Sequence, residues 1–153
     1  MTRELFILPE DLEYAVKRGH ELALEIKNLG LEFGDAFTQS SETWHDNAPF
    51  EAVRDKQSVL AAELAHIRQV IRTSAVALPK TKRGRAGYGS LVTLSNGKTY
   101  KIAGDWTPHA GRSAGGIITV SAKSPIGAEL IGKKLQDTVA VGSKTEQIIA
   151  ITS

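Results

Sequence analysis

Cysteine is absent from the 153 residues, so disulfides, zinc–thiolate sites and cysteine nucleophiles are all excluded. Aromatics are scarce at 6%. No apolar run approaches the ~20 residues that a bilayer span requires, so an integral membrane protein is not expected. The opening residues MTRELFILPED hold a short apolar patch, but acids and a proline follow it. A secretory signal would show a longer apolar stretch and a small-residue cleavage site. Walker loops, Rossmann glycine patterns and Gly-X-Ser-X-Gly elbows are missing. The four histidines, His20, His45, His66 and His109, lie far apart, and no two have metal-ligand spacing. What remains is an ordinary globular composition, 41% hydrophobic and 24% charged. One domain or two small ones in a soluble, cytoplasmic protein is the expectation, with no membrane partner.

The net charge of +2 conceals a split. Residues 1–75 carry eight Lys/Arg against thirteen Asp/Glu, a net of −5, whereas residues 76–153 carry eleven against four, a net of +7. Two segments with different electrostatic tasks are implied. Between Asn28 and Val53 there is no basic residue, but there are five acids: Glu32, Asp35, Glu42, Asp46 and Glu51.

Leu12, Ala15, Gly19, Leu22, Ile26, Leu29 and Phe33 alternate spacings of three and four. So do Phe50, Val53, Gln57, Leu60, Leu64, Ile67 and Ile71. Each series is the narrow seam of a coiled coil. Pro9 suits a first helical turn, with Glu10 and Asp11 beside the positive end of the helix dipole. The seams predict an antiparallel hairpin over 1–77, its first helix running from about Pro9 to about Phe37, roughly 40 Å at 1.5 Å per residue. Thr38 to Pro49 is polar and rich in capping residues, so it reads as the connector. A rod of this kind is too thin to be a globular core, so function is expected at its far end or along its flanks.

Residues 78–89, LPKTKRGRAGYG, hold four basic residues and no acid, and read as a basic linker. Residues 90–153 read as a small antiparallel sheet domain. Strands are expected at Ser90–Leu94, Lys98–Ala103, Gly116–Ser121, Thr138–Val141 and Gln147–Ile151. Asn96-Gly97 supplies a hairpin turn. Asp105 to Gly116 reads as a loop. Ser124 caps a short helix that has Pro125 as its first residue and is closed by Gly132. The fold class is therefore α+β, a helical hairpin followed by a small sheet domain with one short helix.

Two features carry candidate chemistry. The acidic connector offers carboxylates, and Mg²⁺ is commonly held by one or two of these, with phosphates and water completing its shell. In the bland alternative, Asp46 and Asn47 merely cap the second helix and Glu42 is a solvated charge. Trp44 either packs back onto the rod, with Phe37, or contacts a partner. The basic loop Lys80, Lys82, Arg83 and Arg85 is suited to nucleic acid phosphates or to an acidic protein surface, or is simply solvated.

Val120 to Val141, VSAKSPIGAELIGKKLQDTVAV, resembles the C-terminal signature of the bacterial Gre-type transcript cleavage factors. The strand pair GSLVTL…KTYKIAG is similar too, and Asp46 to Gln57, DNAPFEAVRDKQ, resembles the family's connector motif. The resemblance covers nearly the whole chain. It implies an N-terminal coiled coil that enters the secondary channel of RNA polymerase, and a C-terminal domain of FKBP-like fold that docks on the channel rim. It also implies an accessory factor, not itself an enzyme and acting as a monomer, that stimulates hydrolysis of the nascent RNA 3′ end once the polymerase has backtracked. Asp46 and Glu42 are then the catalytic carboxylates. They share a Mg²⁺ with the polymerase, and no cofactor is tightly bound. Trp44, Asn47 and Phe50 support the tip, while Ser124, Pro125, Ile126 and Lys133 bind polymerase. Aligned through Asn47, the family's tip Glu falls on Asp46 and its tip Asp on Thr43, which carries no charge; Glu42 stands one position earlier. Pro49 replaces an acid and Phe50 a Tyr. Three readings follow: a cleavage factor, a channel-binding regulator without cleavage activity, and a prolyl isomerase or chaperone. The last would need an aromatic-lined pocket from Tyr88, Tyr100 and Trp106.

Overall fold

Helix α1 (Pro9–Gln39) begins where the sequence places a proline after an extended apolar segment. The Leu8 carbonyl accepts from the N–H groups of Asp11 and Leu12 at 3.0 and 3.1 Å, which closes the first turn. The computed structural model of the chain describes residues 5–39, 48–77 and 84–152, with side chains over 5–31, 51–77 and 84–152. Helix α2 (Ala48–Thr73) has Glu51 in its first turn and Arg72 in its last, both favourable to its dipole.

The expected seams are the faces that bury. On α1, Ala15, Leu22 and Leu29 are buried and Leu12, Gly19 and Ile26 half-buried. On α2, Leu60, Leu64 and Ile67 are buried and Val53, Gln57 and Ile71 half-buried. Lys17, Glu21, Lys27, Lys56 and Arg68 are exposed. The glycine in the first seam is a contact position: a methyl group on Gly19 would lie 3.5 Å from Ile67 Cγ2. One on Gly30 would lie 3.7 Å from Gln57 Nε2. Moving up α1 therefore means moving down α2, an antiparallel register. Val70 is also buried, although the three-four spacing omits it; it lies seven residues beyond the half-buried Glu63 and widens the stripe at that end.

Arg18 adds a polar clasp across the hairpin. Its Nε donates to Glu63 Oε1 at 3.0 Å and its Nη2 to Glu63 Oε2 at 3.2 Å. Glu21 and Glu25 lie 3.5 Å from Nη1. The hydrogen bonds to Glu63 hold the guanidinium pKa above its ordinary value against the opposing effect of burial. With a quarter of the Arg18 side chain still exposed, the pair is screened by solvent and contributes at most about 1 kcal/mol. Arg18→Ala is expected to lower the thermal midpoint of the hairpin, followed by helical circular dichroism, by roughly 5 °C or less. The difference should shrink in high salt.

The chain divides into two compact units, Tyr14–Arg72 and the pair of segments Met1–Glu13 and Thr73–Ser153. The second unit holds a small feature that the sequence did not announce. Strand β1 (Leu5–Ile7) pairs in parallel with β2 (Ser74–Val76), in register Leu5↔Ser74 to Ile7↔Val76. The segment before α1, expected to belong to the hairpin, thus groups with the sheet residues.

The main sheet contains β3 (Leu91–Leu94), β4 (Thr99–Ile102), β5 (Ser113–Ala114), β6 (Ile117–Val120), β7 (Thr138–Val141) and β8 (Lys144–Thr152). Their spatial order is β5-β6-β4-β3-β8-β7. The five expected strands are present, and Asn96-Gly97 makes the β3–β4 turn with Gly97 at φ 84°. Two details differ from expectation. The sheet is mixed, because β4 and β6 run parallel, and the stretch read as a loop contains β5. The 14 residues from Ala103 to Gly116 are long enough for the crossover that a parallel pair needs.

Helix α3 (Pro125–Leu130) lies between β6 and β7 in the chain. The core gathers Val92, Leu94, Tyr100, Ile102, Val120, Leu130, Val139 and Ile148. Ala86 joins it at 3% exposure, so the end of the stretch read as an exposed basic linker is packed into the fold. Lys80, Lys82 and Arg83 lie outside the described residues.

Candidate functional site

The segment Ser121 to Ile126 is built by hydrogen bonds that occupy its polar atoms. Ser124 has φ −68° and ψ 157°, an extended N-cap conformation. Its hydroxyl donates to the Ser121 carbonyl at 2.6 Å and accepts from the Gly127 N–H at 3.1 Å. Ser121 Oγ in turn donates to the Asp105 carbonyl and accepts from the Lys123 N–H, both at 3.1 Å. Ser124 thus spends its hydroxyl on shaping the turn. What it presents outward is Pro125, which is exposed, and Ile126, which is half-buried.

Those two side chains form one wall of a groove of about 560 Å³, completed by Glu129 and, from the sheet edge, Ala140, Val141 and Gly142. Glu129 Oε1 accepts from the Ala140 N–H at 3.4 Å, linking two of the lining residues. The sequence supplied Ser124, Pro125 and Ile126 but not the facing residues of β7. The available signal was the position of β7 directly after the helix. Lys133 does not line this groove. It stands beyond the helix, where its carbonyl accepts from the Ala86 N–H at 2.8 Å.

A second cluster surrounds β1. Asp105 Oδ2 accepts from the Phe6 N–H at 2.9 Å and Oδ1 from the Tyr88 hydroxyl at 3.2 Å. The Asp105 N–H donates to the Phe6 carbonyl at 2.6 Å. Burial, followed by the nearby Asp105 charge, pushes the Tyr88 phenol up. Lys101 Nζ bonds Glu10 at 3.0 Å. Although burial opposes it, the Glu10 backbone N–H and Lys101 hold that carboxyl below its ordinary value. Asp11 is 4% exposed, and burial raises its carboxyl pKa, with Thr107 donating a hydrogen bond to it. These contacts tether the first residues to the β4–β6 crossover.

Two of the three aromatics named for a proline pocket have other contacts. Tyr100 is a core residue, and Tyr88 stacks at a tilt of 32° on Phe6 with ring centroids 6.3 Å apart. Among the described residues no group of three or more His, Asp or Glu is placed to hold a metal ion. The connector residues Glu42, Trp44, Asp46 and Asn47 lie outside the described residues, as does the side chain of Phe50.

No protein-family model matches the chain. Curated relatives do. The transcription elongation factor GreA of Rickettsia bellii is 27% identical over 152 residues, 93% of this chain and 89% of that one. The GreA of Acidiphilium cryptum is 31% identical over 116 residues, 69% of this chain and 71% of that one. The chain belongs to the Gre-type family of transcription elongation factors. A GreA of Ruegeria pomeroyi agrees, at 30% identity over 115 residues, 69% of this chain and 70% of its own. Among solved structures, the GreA factor homolog 1 of Thermus thermophilus aligns over 99% of this chain and 100% of its own, with a TM-score of 0.46 and 16% identity. The Gre membership accords with a helical hairpin followed by a sheet unit with one short helix. No described helix is long and apolar enough to cross a membrane.

Proposed function

We propose that this Gre-family protein binds RNA polymerase through the polymerase's secondary channel and stimulates cleavage of the 3′ end of backtracked nascent RNA. The observation that carries the reading is the seam-registered hairpin. Its helices end at Gln39 and begin at Ala48, so the residues joining them include the acids Glu42 and Asp46. A stiff pair of helices supplies positioning, and misplacement of reacting groups by about 1 Å can cost roughly 100-fold.

Asp46 and Glu42 are hard oxygen donors, the chemistry that Mg²⁺ prefers, and two carboxylates suit an ion whose remaining ligands come from a partner. When bound, the ion would stabilise charge developing on the RNA phosphate. The factor is then an accessory to the polymerase, works as a monomer in the cytoplasm, and holds no cofactor of its own. Asn47, Trp44 and Phe50 support the tip. Pro125 and Ile126 meet the polymerase at the channel rim, with Ser124 holding them in place.

Thr43 favours a second reading, a channel-binding regulator without cleavage activity, because it stands where the family carries an acid. The two readings separate in one assay. A stalled, backtracked elongation complex is incubated with the protein and short 3′ RNA fragments are counted. Wild type is expected to accelerate their release, and Asp46→Ala to lose most of that acceleration while still competing with a Gre factor for polymerase. Competition without fragment release would establish the regulator instead. Equal activity of Asp46→Ala and wild type would remove Asp46 from the mechanism.

A further inference from the structure

The carboxylates of residues 84–152 are occupied by neutral donors. Asp105 accepts from Phe6 and Tyr88, Glu129 from the Ala140 N–H, Asp137 from the Lys134 N–H at 2.8 Å, and Glu146 from the Ser95 hydroxyl. The same stretch holds eight Lys and Arg. Of these eight, only Lys101 has a carboxylate partner among the described residues, Glu10. The positive excess of this stretch is therefore not neutralised internally.

The backbone segments that carry three of these cations meet. The Ala86 N–H donates to the Lys133 carbonyl at 2.8 Å, and the Gly132 N–H donates back to the Ala86 carbonyl at 2.7 Å. Gly132 accepts a third bond, from Arg85 Nη1 at 3.1 Å, and its φ of 81° makes the tight approach possible. This short ladder holds Arg85 beside Lys133 and Lys134, although Arg85 and Lys133 are 48 residues apart in sequence. Arg85 and Lys134 are exposed and Lys133 is half-buried. Beyond the one bond to Gly132, the guanidinium and both ammonium groups have no hydrogen-bond or ion-pair partner among the described residues.

We propose that Arg85, Lys133 and Lys134 form a binding surface for the phosphodiester backbone of nucleic acid. A guanidinium fork and two ammonium heads on one backbone knuckle suit phosphate oxygens repeated along a strand. No aromatic side chain is interleaved with them, so the contact reads backbone and not base. The surface is separate from the hairpin connector and does not depend on the chemistry proposed there.

The full-length protein is titrated into labelled mixed-sequence single-stranded RNA and duplex DNA over a range of salt concentrations, with anisotropy as readout. Binding to both is expected, with log affinity falling linearly against log salt. Lys133→Gln/Lys134→Gln should reduce that slope by about 1.4 on the single strand and about 1.8 on the duplex. Arg85→Ala should reduce it by about 0.7 and about 0.9 respectively, and Arg85→Lys should restore it. Arg112, next to the edge strand β5, is the control, and Arg112→Ala should leave the slope unchanged. Thermal denaturation verifies that each variant is folded. An equal loss on Arg112→Ala would reduce the effect to net charge and overturn the proposal. So would knuckle variants that bind nucleic acid normally but lose polymerase, which would assign the surface to an acidic protein partner.

Discussion

Gly127→Ala is expected to unfold the region around α3. The added methyl group would sit 2.0 Å from the Ser121 carbonyl oxygen and 3.0 Å from Ser124 Oγ. The obstacle is backbone on a segment fixed by three further bonds, so it cannot swing aside as a flexible side chain would. Relieving the clash means moving the helix away from Ser121. That movement breaks the Ser124 cap, worth about 1 kcal/mol. It also pulls Leu130, fully buried, out of its place in the core. With overpacking of this kind added, the loss should reach about 3 kcal/mol or more, a fall in the midpoint of the sheet unit of roughly 15 °C. Differential scanning calorimetry of the full chain would record it. A midpoint within a few degrees of wild type would mean that the turn is far softer than its hydrogen bonds indicate.

Gly104→Ala acts on the other cluster and should be comparably severe, but local. A methyl group there would lie 2.3 Å from the Phe6 carbonyl oxygen, 2.5 Å from Ile7 Cα and 3.1 Å from the Leu8 nitrogen. Phe6 cannot retreat while Asp105 grips both its N–H and its carbonyl. The expected outcome is release of β1 from the crossover and from β2. Amide hydrogen exchange reads this directly. Phe6, Asp105 and Ala77, whose N–H donates to the Ile7 carbonyl at 2.8 Å, should lose protection by two or more orders of magnitude. The core strands β3 and β8 should keep theirs. Unchanged protection at Ala77 would show that β1 is held by contacts other than these.

The parts of the fold that were legible in the sequence were those with a long period. Six or seven apolar residues at alternating intervals define a helix face on their own, and the described positions of both seams, Leu12 to Leu29 and Val53 to Ile71, are buried or half-buried. The Ser-Pro pair before a short apolar helix was equally clear, because a cap and a first-turn proline are local chemistry. Strands of three residues leave no period, so LFI and SAV carried no sign that they pair with each other across the whole hairpin. Parallel pairing of β4 with β6 is also invisible to alternation, since a strand reads the same in either direction. Only the length of the intervening segment hinted at it. Ala86 was hidden by its neighbours: one small buried residue in a run of basic ones reads as linker.

The candidate site divides in the same way. Pro125 and Ile126 are adjacent in the sequence, whereas Ala140 and Val141 reach the same groove only through tertiary folding. Lys133, which the motif groups with Ser124, Pro125 and Ile126, has its backbone bonded to that of Ala86, next to Arg85. That association depends on a backbone ladder which no spacing rule encodes. The acids Glu42 and Asp46 were legible as composition, five acids in a stretch free of cations, and they lie among the residues outside the described set.

The parallel pairing of Leu5–Ile7 with Ser74–Val76 brings the two ends of the intervening 66 residues into register. The anchorage of that segment is set by its ends and not by its length. Matched deletions or insertions of seven residues in each helix would keep the seam in phase and leave the stitch untouched. Lineages could therefore vary the length of the helices without redesigning the strands that close them.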